Sequence, residues 1–232
     1  KLIDEQSDAI AERTGLKLAV VMVAVRDVSQ SRDVPLDPSL FTNDSNSVIE
    51  SPEVDVVVEV IGGIEPSKEL ILKALELGKP VVTANKELLA AHGGELYSLA
   101  KESEVDLLFE AAVAAAIPIM RPLRESLAGE PITRVMGIVN GTTNFILTKM
   151  TEENMPFKNA LEEAQKLGYA ESDPTADVEG HDAAAKAAII ASFAFGGQVT
   201  FSDVHVEGIT KITPEDIGFA HRLNHCIKLL AI

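Results

Sequence analysis

The run VDVVVEVIGG, residues 54 to 63, constrains the fold more than any other stretch. It is nearly continuously apolar and rich in β-branched residues, the pattern of a parallel strand covered on both faces, and its Gly62-Gly63 end marks a turn. A parallel strand cannot be joined to its neighbour by a hairpin, so helical crossovers must flank it. The sequence supplies them. Residues 3 to 13 read as a helix, 18 to 25 as a buried strand, and 68 to 77 as a helix closed by Gly78. Residues 79 to 94 read as a short strand, a polar turn over Thr83 to Lys86 and a helix, and 105 to 113 as another strand. Repeated strand and helix units predict an α/β fold, a doubly wound parallel sheet of the Rossmann-like kind. Such a sheet opens with a strand and a Gly-rich turn, and both are absent from this chain, which begins inside what reads as the first helix.

In a doubly wound sheet, ligands bind beyond the carboxyl ends of the strands. Gly62, Gly63, Thr83 to Lys86 and Glu110 all fall at that edge. Residues 28 to 52, rich in Ser, Asp, Asn and Pro, read as a long surface excursion. The texture changes after about residue 114. A strand ending in an Asn-Gly turn is expected before a helix that starts near Thr142, whose hydroxyl would cap it. A helix over 156 to 167 stopped by Gly168, an alanine-rich helix over 181 to 195, a strand over 203 to 210 and a last helix from Pro214 follow. The chain is expected to stop at Ile232 within that helix. The predicted organisation is residues 1–113 as an incomplete nucleotide-binding unit and 114–232 as an α+β unit.

Composition excludes several classes of function. Acidic residues outnumber basic ones 36 to 20, for a formal charge of −16, so nucleic acid and anionic membranes would be repelled. The longest uncharged apolar run, residues 111 to 120, is too short to span a bilayer and contains Pro118. The start does not resemble a signal peptide, and the single cysteine, Cys226, can form no internal disulfide, which suits a reducing compartment such as the cytoplasm.

The residues that carry chemistry converge on ESDPTADVEGHDAAAK, 171 to 186, with five carboxylates ahead of one lysine. On a helix from His181, Asp182 and Lys186 are four apart and share a face. An isolated pair of this kind is a surface ion pair worth a few tenths of a kcal/mol. Here alanines surround it, which predicts a closely packed helix and a lysine that needs partners. Glu171, Asp173 and Asp177 lie in a loop able to fold over that helix's N-terminus. A calcium loop is the rival reading, and the glycine positions do not match one. Lys86 follows a strand at the ligand edge, where it is either a solvated helix start or a functional amine. His181 reads as a packing residue. His221 and His225 share a helical face without a glutamate motif for zinc, and Cys226 falls on an apolar pattern that predicts burial.

Taken together, VVVEVIGG, VVTANK, FEAAVAAAIP, VMGIVNGTTNFIL and LGYAESDPTADVEGHDAAAK resemble homoserine dehydrogenase, in matching order through almost the whole chain. The resemblance implies reversible NAD(P)-dependent reduction of L-aspartate 4-semialdehyde to L-homoserine, on the way to threonine and methionine, by a homodimer or higher homo-oligomer. It implies Lys186 as the catalytic lysine, with Lys86 a second lysine near cofactor and substrate. Glu171, Asp177, Asp182, Gly141 and Thr142 match substrate-binding positions. Glu110, Val113, Ala115 and Ile117 match a monovalent-cation site, usually sodium, built mainly from backbone carbonyls. Arg26, placed after the strand 18 to 25 to meet a 2′-phosphate, favours NADP, whereas Asp27 beside it would favour the ribose hydroxyl of NAD. Gly62, Gly63 and Thr83 complete the expected cofactor edge. An aspartate-semialdehyde dehydrogenase would need a nucleophilic cysteine, and Cys226 lies in the wrong context. A noncatalytic assembly module is the second rival, opposed by the presence of both lysines.

Overall fold

The computed structural model describes residues 2–114 and 117–232. Two short helices, α1 (Leu2–Glu5) and α2 (Ser7–Thr14), replace the single expected one, and neither buries a residue. The strand expected over 18 to 25 narrows to β1 (Val23–Ala24), which pairs in parallel with β2 (Phe41–Thr42). The surface excursion therefore contains structure: β2 is followed by α3 (Ser45–Glu50), capped by the Asp44 carboxylate on the Asn46 amide.

The second sheet carries the site. Its order is β3 (Val57–Glu59), β4 (Val81–Thr83) and β5 (Leu107–Leu108), all parallel, with Val57 opposite Val81 and Val81 opposite Leu107. α4 (Ser67–Glu76) links β3 to β4, and α5 (Lys86–Glu102) links β4 to β5. Contrary to expectation, β3 is not covered on both faces. Val57 and Glu59 are buried, while Val56, Val58 and Val60 are exposed, because α4 and α5 cover the one face to which alternate side chains point. The strand expected to run through residue 113 ends early, and Glu110–Ala112 forms a 3₁₀ turn.

The remaining residues form helices joined by irregular chain. A π-helical turn spans Pro122–Ser126, and α6 (Gly141–Glu152) is followed by α7 (Phe157–Lys166), α8 (Thr175–Val178), α9 (His181–Ala194) and α10 (Pro214–Arg222). No strand ladder forms over 131 to 140, where Gly137 makes one antiparallel bridge to Ala231. The strand expected over 203 to 210 is a 3₁₀ turn, Phe201–Asp203, and an irregular stretch. A capping box between Thr213 and Asp216 starts α10. That helix ends at Arg222, so His225 and Ile232 lie outside it, and Cys226 is exposed rather than packed.

Two hydrophobic clusters organise these elements. The larger joins the sheet, α4 and α5 to Ile189 and Ile190 of α9. The smaller is built from α6, α7, α8 and α10 around Ile146, Leu147 and Met150, all fully buried. Helix α9 lies against α5, with Ala185, Ile189 and Ile190 buried in the shared cluster and Phe193 edge-on to Tyr97 of α5 at 4.8 Å. This packing brings Lys186 of α9 to the cleft at the ligand edge of the sheet. Among the described residues no helix is long and apolar enough to cross a membrane.

Candidate active site

A cleft of about 290 Å³ opens at the carboxyl ends of β3 and β4, lined by Gly62, Gly63, the turn Ala84 to Glu87, the 3₁₀ turn after β5, and Lys186. Its floor is organised by Glu59, the last residue of β3 and only 4% exposed. One carboxylate oxygen accepts from the Ile61 amide at 2.7 Å, the Gly62 amide at 3.2 Å and the Ser67 hydroxyl at 3.2 Å. The other accepts from the Thr83 hydroxyl at 2.6 Å. Thr83 in turn accepts from the Asn85 amide, and the Asn85 side chain caps α5 at Leu88 while donating to the Gly63 carbonyl at 2.7 Å. Gly62 and Gly63 have φ of +83° and +72°, a left-handed turn that glycine tolerates and most residues do not. One buried carboxylate thus fixes the turn after β3 to the turn after β4.

Above this floor a second buried carboxylate holds the lysines. Asp182, in the first turn of α9 and 4% exposed, pairs with Lys186 at 2.7 Å and also with Lys86. The Asn140 amide donates to it at 2.9 Å and to Asp177 at 2.7 Å. Burial disfavours the Asp182 charge, but the Asn140 amide and the ammonium groups of Lys186 and Lys86 outweigh it, holding its carboxyl below the usual carboxylate range. The Lys186 side chain is 16% exposed and also donates to the Val139 carbonyl at 2.9 Å. It faces the cleft rather than bulk solvent. The Lys86 side chain is 41% exposed, at the cleft mouth.

The other expected site residues divide. Asp177 joins the network through Asn140. Gly141 begins α6, and Asn140 rather than Thr142 caps that helix, through the Thr143 amide. The Thr142 hydroxyl instead donates to the Tyr169 carbonyl at 2.6 Å, anchoring the start of the acidic loop. Glu171 is exposed, and its main-chain oxygen accepts from Gln165. Asp173 is occupied by a local turn, its carboxylate accepting from the Thr175 amide and hydroxyl. Arg26 is exposed just beyond β1. The Asp27 carboxylate beside it accepts from the Ser29 hydroxyl and amide, which lower its pKa.

The Glu110 carboxylate accepts from the amides of Ile119, Met120 and Arg121 at 2.6, 2.9 and 2.8 Å. Burial disfavours its charge, but the Met120, Arg121 and Ile119 amides outweigh it and lower its pKa. Both oxygens thus anchor the following segment. Val113 is buried, the Ile117 side chain is 69% exposed, and Ala115 lies outside the described residues. No cluster of three or more His, Cys, Asp or Glu side chains suited to a metal occurs among the described residues, so a cation here would depend on main-chain carbonyls.

Sequence reading gave no individual role to Glu59, Asn85 or Asn140. A lone acid inside a valine run is itself a signal, because a charge in a strand that faces a core must find donors. Asn140 directly before Gly141 is an N-cap signal that was credited to Thr142. Asn85 could have been found in the same way before α5.

Comparisons with known proteins bear on the family and the fold. The family model described as homoserine dehydrogenase matches residues 118–232, and that described as homoserine dehydrogenase, NAD binding domain, matches 1–110. The homoserine dehydrogenase of Corynebacterium glutamicum is 56% identical over the whole chain, which spans 52% of that relative's length. A crystal structure of a homoserine dehydrogenase from Thiobacillus denitrificans superposes with a TM-score of 0.89 at 43% identity, over 99% of this chain and 53% of that one. A hyperthermophilic archaeal homoserine dehydrogenase mutant in complex with NADPH superposes with a TM-score of 0.69 at 32% identity, over 90% of this chain and 60% of that one.

Proposed function

Because this chain belongs to the homoserine dehydrogenase family, we propose that it performs the reversible NAD(P)-dependent reduction of L-aspartate 4-semialdehyde to L-homoserine. The observation that carries this reading is the buried Asp182 holding Lys86 and Lys186 together at the ligand edge of the sheet. The two units of the proposal are residues 1–113 for the nucleotide and 114–232 for substrate and assembly, with α9 bringing Lys186 to the nucleotide side.

The residues present suit a nicotinamide. Gly62 and Gly63 leave the cleft floor open, since a Cβ at either would meet nothing within 4 Å, and Thr83 fixes the turn that leads to Lys86. The cofactor, when bound, supplies or accepts the hydride. This chain's residues do the remainder. As the carbonyl carbon is reduced, negative charge develops on its oxygen, and an ammonium already directed into the cleft stabilises and protonates it. We assign that proton to Lys186 Nζ, with Asp182 orienting it and retaining the charge balance when the proton leaves. In the reverse direction the same amine removes the hydroxyl proton. Lys86, at the mouth, is placed to meet the substrate carboxylate. Glu171 and Asp177 are assigned to the substrate ammonium, beside the Gly141–Thr142 turn. Glu171 lies on the exposed acidic loop, so this role requires the loop to turn inward when substrate binds.

Arg26 at the end of β1 supports NADP, because its exposed guanidinium can meet a 2′-phosphate while the Asp27 carboxylate is engaged by Ser29. The cation proposed at Glu110, Val113, Ala115 and Ile117 would stabilise the turn after β5 and takes no part in the proton step. Homodimerisation through 114–232 is supported by the exposed Met136, Ile138 and Leu230 flanking the Gly137–Ala231 bridge. The test of the activity is nicotinamide absorbance with L-homoserine in one direction and L-aspartate 4-semialdehyde in the other, using the full-length protein. Absorbance that stays flat with both substrates and both cofactors removes the proposal.

A further inference from the structure

We infer that Glu59 is an electrostatic positioning residue that makes the cleft favour the oxidised, cationic nicotinamide over the reduced, neutral ring. The inference rests on the reading of this cleft as the nicotinamide site. Its basis is an asymmetry between carboxylates. Asp182 is matched by two ammonium groups. Glu59 is as deeply buried, yet all its partners are neutral: the amides of Ile61 and Gly62 and the hydroxyls of Ser67 and Thr83. No Lys, Arg or His nitrogen forms an ion pair with it among the described residues.

Neutral donors solvate a charge without cancelling it, so the field of Glu59 persists where water cannot screen it. Gly62, whose amide donates to the Glu59 carboxylate at 3.2 Å, lines the cleft, so the carboxylate lies behind that lining. Lys86 and Lys186 line the same cleft, but both are held against Asp182, which offsets part of their positive field. Two ammonium groups share one Asp182, so a positive excess remains, and the Glu59 charge acts against it behind the cleft lining. Oxidised nicotinamide carries a pyridinium charge that the reduced ring lacks, so the two forms are discriminated by this field although their shapes are nearly the same.

The experiment is calorimetric titration of oxidised and reduced cofactor into the full-length protein and two variants. In Glu59→Gln the amide oxygen can keep the Ile61, Gly62 and Ser67 donors, the amide NH2 faces Thr83 and must donate to its hydroxyl, reversing that one bond, and the charge is lost. Its affinity for the oxidised form is expected to fall about tenfold with the reduced form changed by less than about twofold, the size of an interaction between unit charges about 12 Å apart at an effective dielectric of about 20. Val60→Lys, at a side chain 73% exposed, brings a cation next to the same turn without entering the core. It is expected to move the ratio in the same direction by about twofold, and it carries the test if Glu59→Gln does not fold. Equal weakening of both forms in Glu59→Gln, or an unmoved ratio in Val60→Lys when that variant stands alone, overturns the inference and leaves the proposed function intact. Wild-type protein that binds neither form overturns both.

Discussion

Two carboxylates, each 4% exposed, sit on either side of the cleft and are satisfied in opposite ways. Glu59, at the end of β3, is surrounded by amides and hydroxyls that hold two turns in register. Asp182, at the start of α9, is surrounded by two ammonium groups and one amide. Neutral donors keep their protons, so the first arrangement is a scaffold with a standing charge. Ammonium groups can give theirs up, so the second can do acid and base work. In the proposed reading the candidate site is therefore divided: the sheet supplies geometry and field, and the helix supplies the movable proton.

The sharpest way to break that division is Lys186→Ala. Turnover is expected to fall by about 10²–10⁴-fold, the usual worth of a positioned acid or base, while cofactor affinity stays within about twofold, as checked by steady-state kinetics and titration. Near-normal turnover would falsify the assignment of the proton to the helix side. Asp182→Ala comes next. It leaves two ammonium groups without their buried partner, and loss of one member of a buried pair typically costs about 3–5 kcal/mol, measurable by urea unfolding. Thr83→Val tests the scaffold side. It removes one donor from Glu59 and the acceptor of the Asn85 amide, for an expected loss of about 1–3 kcal/mol. If this variant proved as damaging as Asp182→Ala, the contrast between the two carboxylates would be mistaken.

The smallest effect is a pH dependence. The Asp182 carboxyl is held below its unfolded value, so the stability it contributes is present above the unfolded pKa, about 3.9, and is lost as pH falls through the lower folded value. Asp182→Asn should therefore flatten the acid limb of a stability curve measured below about pH 4. An unchanged acid limb would mean that Asp182 is not ionised by its neighbours in the way the geometry implies.

Much of this was legible in the residues because it depends on short spacings. The pairing of Asp182 with Lys186 follows from four residues on one helix face, and the alanines around them announced close packing. The two-faced burial expected of VDVVVEVIGG failed for a different reason: a valine run specifies a strand but not how many layers cover it. The expected strands near 131 to 140 and 203 to 210 failed because local β propensity was not met by partner strands beyond the single Gly137–Ala231 bridge. Cys226 followed an apolar pattern, but α10 had already ended, so no helix face turned it inward.

By itself the sequence determined the parallel α/β arrangement, the turn glycines, the caps and the Asp182–Lys186 pair, all set by backbone conformation and side-chain spacing within a few residues. Only the tertiary structure decided that Lys86 would reach Asp182, that Asn140 would bridge Asp177 and Asp182, and that Glu59 would be buried without a counter-ion. Those outcomes depend on how segments distant in the chain meet across a packed interface. There a charged group takes whichever donors the core brings to it.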